Sequence, residues 1–257
     1  MLIGIDHLVI AIADPDAAAV ELEAVVGLRA TGGGRHEAMG THNRLVWLGD
    51  TYLELIGVWD ERLAAESWIG RPTLEALREG RSFATFAVAT DTIAHELARL
   101  RDLGASWDGP VAGERLRLDG RLVRWKIAVP GRLWVDRPPF LIEHDTTAAE
   151  WTPPERDERA DRVHPIRAPV RLEALELPVG DVRQVADRYL RTLGFYFRPS
   201  LTGGGARDTN IGTQLVRLRF GGYVNVAAPA LPTIRLYAAG VEGRVVDVLG
   251  LRWVVRG

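Results

Sequence analysis

The chain has 257 residues, 47% hydrophobic and 26% charged, which suits one large or two small folded domains and excludes a disordered segment. Its 32 basic and 34 acidic residues nearly cancel and form no single-sign block, so nothing marks a nucleic-acid partner. The absence of cysteine excludes disulfides, thiolate metal sites and a cysteine nucleophile, and fits an intracellular, cytoplasmic protein.

The N-terminus is apolar but has no basic leader, and it reads as a strand rather than a signal peptide. No apolar run approaches the ~20 residues of a membrane helix, so no membrane partner is expected. From Ile5 the apolar residues alternate as in a strand and then turn to helical spacing. Asp14 is placed as an N-cap, Pro15 as the first helical residue and Gly27 as the stop. The same strand-Asp-helix-Gly pattern returns at Asp91 and Gly104, both offset by 77, and at Asp181 and Gly194, both offset by 167. Extended segments follow each helix, and Asp119-Gly120 marks a hairpin in the second unit. Each unit therefore reads βαβββ. The Pro- and charge-rich stretch 148–166 reads as a linker. Residues 1–147 then hold two units and residues 167–257 a third.

Strand parity locates the polar side chains. In the first strand Ile5, His7, Val9 and Ala11 share one face, and Leu8, Ile10 and Ile12 share the other. In the strand "TYLELIGV", Tyr52, Glu54 and Ile56 lie together, opposite Leu53 and Leu55. With a helix on the more aliphatic faces, His7 and Glu54 project from the opposite one. An unpaired carboxylate is costly to bury, so Glu54 needs a partner or a wet cavity. His36, Thr41 and Asn43 stand among the glycines of "GGGRHEAMGTHN"; those glycines serve turns on one reading and a binding loop on the other. Trp47 shares a face with Leu45 and Asn43. His144 is expected to face away from Glu143 as a structural or exposed residue. His95 and His164 receive no site role. No nucleophile elbow, phosphate loop, dinucleotide fingerprint or zinc-protease motif occurs.

These features resemble the vicinal oxygen chelate superfamily, in its glyoxalase-like branch. The resemblance rests on "GIDHLVIAIADPDAAA", "GGRHEAMGTHNRLVWLGDTYLELIGV" and "PFLIEHD". It implies an α+β fold in which paired βαβββ modules curl into a mixed-sheet cup, with a third module C-terminal to it. It also implies a divalent metal (Mn, Ni, Zn or Fe) held by His7, Glu54 and Glu143, with Glu54 and Glu143 as catalytic carboxylates. His36, Thr41, Asn43 and Trp47 would bind the substrate. The fourth ligand of the family pattern is missing: Ala84 and Ala174 stand at the positions offset from His7, and Asn225 is read as the third unit's match to Glu54. His36 or His42 would be the substitute ligand. The expected function is a small-molecule lyase or isomerase that polarises vicinal substrate oxygens through the metal. The competing expectation is a metal-free cup that sequesters a small organic compound, with a homodimer left open in either case. An extradiol dioxygenase, which needs two histidines and one carboxylate on iron, is the weakest match because Ala84 offers no second histidine.

Overall fold

The computed structural model describes residues 1–117, 119–131, 139–221 and 230–257. Unit one is β1 (Leu2–Ala11), α1 (Pro15–Val26), β2 (Gly33–His36), β3 (Thr41–Leu48) and β4 (Thr51–Val58). Two short helices, α2 (Glu61–Glu66) and α3 (Gly70–Arg78), are inserted before unit two. Unit two is β5 (Phe83–Thr90), α4 (Ile93–Asp102), β6 (Trp107–Leu116), β7 (Leu122–Pro130) and β8 (Phe140–His144). The eight strands form one curled half-barrel, ordered β2-β3-β4-β1-β5-β8-β7-β6. The first strand of each unit pairs parallel with its last, and β1 joins β5 antiparallel at the centre.

The stretch 148–166 includes a helix, α5 (Pro153–Ala160), and buries Trp151, Arg159 and His164. His164 Nδ1 accepts from Arg29 N at 3.1 Å, and its Nε2 bonds Trp47 O at 2.7 Å, so both ring nitrogens are satisfied.

Unit three is β9 (Val170–Val179), α6 (Val182–Leu193), β10 (Arg198–Pro199), β11 (Arg207–Ile211) and β12 (Gln214–Phe220). It does not stand alone, as a single third module would. The strands β13 (Thr233–Ala238), β14 (Arg244–Val248) and β15 (Leu251–Arg256) complete a second sheet, ordered β10-β11-β12-β9-β13-β15-β14. Here β13 lies antiparallel to β9 and parallel to β15, as β5 lies to β1 and β8. The C-terminal part is thus a second pair of units, the last without a helix among its described residues. Asn225 lies outside the described residues. The strand equivalent to β4 is β12, which runs parallel to β9, and Arg217 opposes Glu176 as Glu54 opposes Val9. Glu176 accepts from Arg235 Nε at 2.5 Å and from Arg217 at 3.3 Å, so the second sheet carries an ion cluster where the first carries its cavity.

The repeated caps form in two of three units. Asp14 accepts from Asp16 N and Ala17 N, and Asp181 from Arg183 N and Gln184 N, while Gly27 and Gly194 close those helices in the left-handed region. In unit two Asp91 instead pairs with the N-terminal ammonium, and the N-cap Thr92 makes no side-chain capping bond. α1, α4 and α6 pack with the helix-side faces of both sheets into one continuous core that includes Leu8, Leu22, Leu97, Tyr189, Leu218 and Trp253. Over the other face of the first sheet, Ile69 and Ala76 of the insertion pack with Val9, Ala11, Ile56 and Phe140. Among the described residues no helix is long and apolar enough to cross a membrane.

Candidate active site

The first strand is not regular. Between β1 and β5 the ladder passes from Ile5↔Val88 to His7↔Ala87, so Asp6 is an extra residue, a β-bulge. This corrects the expected parity: Ile5 turns into the main core with Leu8, while Val9 and Ala11 face the cup. Asp6, 2% exposed, bonds the residue beside it, Oδ1 to His7 Nδ1 at 2.6 Å. Its Oδ2 meets His144 Nε2 at 3.0 Å. Burial opposes its ionisation, but the charge and hydrogen bond of His144, then those of His7, outweigh burial and hold its carboxyl well below the usual range.

With Asp6 ionised, His7 Nδ1 is a donor and its Nε2 is turned outward. That nitrogen faces Glu54 Oε2 at 3.6 Å, too long for a direct hydrogen bond and short enough for an atom shared between them. His7 is clamped by Tyr52, stacked at 4.5 Å, and by the edge of Phe140 at 5.4 Å. Burial pushes the Tyr52 hydroxyl well above its ordinary value.

The glycine-rich hairpin sets the other side of Glu54. Gly33 has φ +119°, and a Cβ there would overlap the Asn43 carbonyl, so only glycine lets β2 lie this close to β3. Gly34 N then donates to Asn43 Oδ1 at 2.9 Å. The amide is thereby oriented, and Asn43 Nδ2 donates to Glu54 Oε1 at 2.5 Å. His36 continues the chain, with Nε2 at 3.5 Å from Asn43 Nδ2 and Nδ1 at 2.9 Å from Thr41 Oγ1. Burial pushes His36 below its usual value. His42 lies on the other face of β3, where its ring fills the space a side chain at Gly57 would need.

These groups border a chamber of about 70 Å³. Among the described residues, four tryptophans, Trp47, Trp68, Trp125 and Trp151, line it with Tyr52 and Phe140. Arg115 lines it as well, its guanidinium bonded to both oxygens of Glu150 at 2.9 Å. The structure therefore gathers His7, His36, Asn43, Trp47 and Glu54 around one space. Thr41 does not border it and instead holds His36 from behind.

Glu143 is not among them. In β8 it is Ile142 and His144 that border the chamber, and the Glu143 carboxylate accepts from Ile93 N at 2.7 Å and from Lys126 Nζ at 3.0 Å. It serves the start of α4, where Asp91 does not. His144, on the opposite face of β8 from Glu143, stacks flat on Trp151 at 3.5 Å and bonds Asp6. Sequence reasoning missed Asp6, Arg115, His144 and Trp151. Only Asp6 left a signal, as a second ionisable residue next to a strand histidine.

A divalent ion needs more than this site offers. The separation of His7 Nε2 and Glu54 Oε2 suits two ligands of one ion at about 2.0–2.2 Å. Asn43 already occupies Glu54 Oε1 and Asp6 occupies His7 Nδ1. Among the described residues no group of three or more His, Cys, Asp or Glu side chains could hold an ion. The side chains present do not fit the three-ligand metal centre that the resemblance implies.

The family model described as the glyoxalase-like domain matches residues 5–193. No curated protein matches the chain. Among solved structures, a hypothetical protein from Staphylococcus aureus shares 16% identity over 98% of both chains, with TM-score 0.79, a likeness of fold. A methylmalonyl-CoA epimerase from Streptomyces coelicolor, in complex with 2-nitronate-propionyl-CoA, shares 20% identity over 58% of this chain and 99% of its own, with TM-score 0.45. The Mycobacterium tuberculosis methylmalonyl-CoA epimerase shares 16% over 56% and 87%, with TM-score 0.41. The paired units of the half-barrel and a family match over most of its length make this chain a member of the glyoxalase-like domain family, within the vicinal oxygen chelate superfamily.

Proposed function

We propose that the chain is an enzyme of the isomerase or lyase type that moves a proton on a small organic substrate held in the chamber of the first sheet. The observation that carries this reading is the Asp6–His7–Glu54 line. A buried, ionised Asp6 fixes the His7 tautomer and sets Nε2 3.6 Å from a carboxylate, so that both groups can reach one ligand atom lying beside them. A pair set like this can take a proton from a carbon beside a carbonyl and return it, an effect worth ~10²–10⁴ in rate. The aromatic wall keeps water out and strengthens every charge inside. Arg115 has N–H groups beyond those on Glu150, and these suit the oxyanion such a reaction develops. No step of this chemistry is routed through a metal.

The aromatic lining also favours a second reading, a cup that sequesters an organic compound without changing it. One experiment separates the two. The protein is incubated in D₂O with 2-oxobutyrate, hydroxyacetone and methylmalonate, and loss of the carbon-bound proton signals is followed by proton NMR. Enzyme-dependent exchange above the background rate, abolished in His7→Gln and Glu54→Gln, is the expected result. Saturable binding with no exchange moves the protein to the second reading, and neither signal rejects both.

A further inference from the structure

The chamber is small, about 70 Å³, so the few polar groups on its wall decide what enters. Most of those left unspent are donors. Three tryptophans away from the chamber give their indole N–H to main-chain carbonyls: Trp59 to Thr41 at 3.1 Å, Trp107 to Thr192 at 2.8 Å and Trp253 to Val248 at 3.1 Å. A buried indole ordinarily finds such an acceptor. The four at the chamber, Trp47, Trp68, Trp125 and Trp151, find none among the described residues, and none of the four nitrogens is sealed in the interior.

Arg115 adds a charge to these donors. It is the one Lys or Arg on the wall among the described residues. Its side chain is 10% exposed and lies beside Gly34 of β2, the opposite edge of the half-barrel from its own β6. Glu150 engages only its Nη2. Among the described residues Nη1 and Nε donate to nothing, and neither is sealed in the interior. His36 and Tyr52 on the same wall are shifted first by burial, and the Arg115 charge acts on both. Glu54 Oε2 and His7 Nε2, the open acceptors that stand 3.6 Å apart, are the pair given to the proton. What remains for the rest of the ligand is a set of donors headed by one cation.

We infer that the reacting end of the ligand is a 2-oxo acid, with its ionised carboxylate on Arg115 and the carbonyl next to it. This rests on the proton chemistry proposed above. As the C–H bond beside the carbonyl breaks, the proton passes to the His7–Glu54 pair and the bonding electrons move onto the keto oxygen. That oxygen and the carboxylate then hold negative charge within one compact group. A guanidinium with hydrogens free on two nitrogens meets both through charge-assisted bonds. A neutral ketone or ester leaves part of that capacity unused, and Arg115 is therefore the residue that sets specificity.

Oxamate and its methyl ester test this, because they copy a 2-oxo acid with and without its charge and carry no carbon-bound proton to lose. Binding is read from quenching of tryptophan emission, since four tryptophans line the chamber. Oxamate should bind roughly tenfold or more tightly than the ester. Arg115→Gln should remove that preference and leave the ester within about twofold. Glu150→Gln keeps the shape and removes the competing carboxylate, so it should tighten oxamate roughly threefold or more. A purely structural Arg115 predicts no gain in that variant. Equal binding of the two probes by the wild-type protein, which needs no variant to fold, overturns the inference. So does an Arg115→Gln protein that still prefers oxamate. The proton chemistry is judged separately in D₂O. Exchange of hydroxyacetone and methyl 2-oxobutyrate as efficient as that of 2-oxobutyrate sinks the carboxylate alone, and oxamate preference without exchange of 2-oxobutyrate sinks the proton chemistry alone.

Discussion

Asp6 and His7 are neighbours in a β-strand and yet hydrogen-bond to each other, at 2.6 Å. In a regular strand their side chains would point to opposite faces. The bulge brings both to one side, and it makes Asp6 the acceptor for His7 and His144 alike. Asp6→Asn keeps the shape and removes the charge, so it should cost roughly 2–3 kcal/mol at pH 7, about the worth of hydrogen bonds to a buried charge. The folded value of Asp6 lies below its unfolded one. Its contribution is therefore present above about pH 4 and fades as pH falls toward the folded value. Urea melts at pH 7, 5 and 3 should show the gap between variant and wild type closing with acid.

Glu54→Gln should leave stability within about 1 kcal/mol of wild type, because a glutamine oxygen can still accept from Asn43 and one desolvated charge is removed. Proton exchange should fall at least a hundredfold. Thermal melts and the D₂O assay, run on the same preparation, check both halves. A stable variant with full exchange would return Glu54 to a structural role.

Glu143→Gln gives the opposite pattern. The residue serves the first turn of α4, so losing its charge should cost roughly 1 kcal/mol. Exchange should stay within twofold of wild type. Any affinity for Mn²⁺, Ni²⁺ or Zn²⁺ that depends on His7 should be unchanged by calorimetric titration.

His36 is held below its usual value by burial. The unfolded chain therefore binds its proton first as pH drops, and stability should decline below about pH 6.5. His36→Gln should flatten that slope between pH 6.5 and 5. Proton NMR of the imidazole, with a midpoint below 6.5, is the direct check.

What was legible in the sequence was whatever local chemistry alone decides. The Asp14 and Asp181 caps and the Gly27 and Gly194 stops are written into their own turns. The parity of Glu54, Asn43 and Trp47 follows from strands whose ladders have no break. What was hidden depends on distant partners. Asp6 bulges because of its pairing with β5, which no spacing within β1 encodes. The faces of β8 could not be told apart because both are apolar: Leu141 enters the main core while Phe140 and Ile142 enter the cup. Glu143 was misplaced for that reason. Nor does a sequence show that Asp91 will be drawn to the N-terminal ammonium, leaving a helix start for Glu143 to serve.

Gln214, at the start of β12, reaches across to the first sheet. Its Oε1 accepts from Ile5 N at 3.2 Å, the residue just before the bulge, and its Nε2 lies 3.4 Å from Thr51 Oγ1, which itself donates to Ile5 O at 3.0 Å. Gln214→Ala should cost about 1–2 kcal/mol and shift the His7 imidazole resonances, though it lies outside the chamber. Nitrogen-edited NMR of the histidine rings would show it, and unchanged His7 signals would argue that the bulge holds itself.

Gly4 makes room for that glutamine, since a Cβ there would stand 2.7 Å from Gln214 Oε1. The two sheets were therefore fitted to each other at the level of single atoms, glycine on one side and amide on the other. A chain cut after β8 would keep His7, Glu54 and Asn43 while losing the outside hand that holds their strand in shape. Inheritance should respect this: Gly4 and Gln214 are expected to be exchanged together or not at all, and an ancestor with the first sheet alone would have needed another way to steady its histidine.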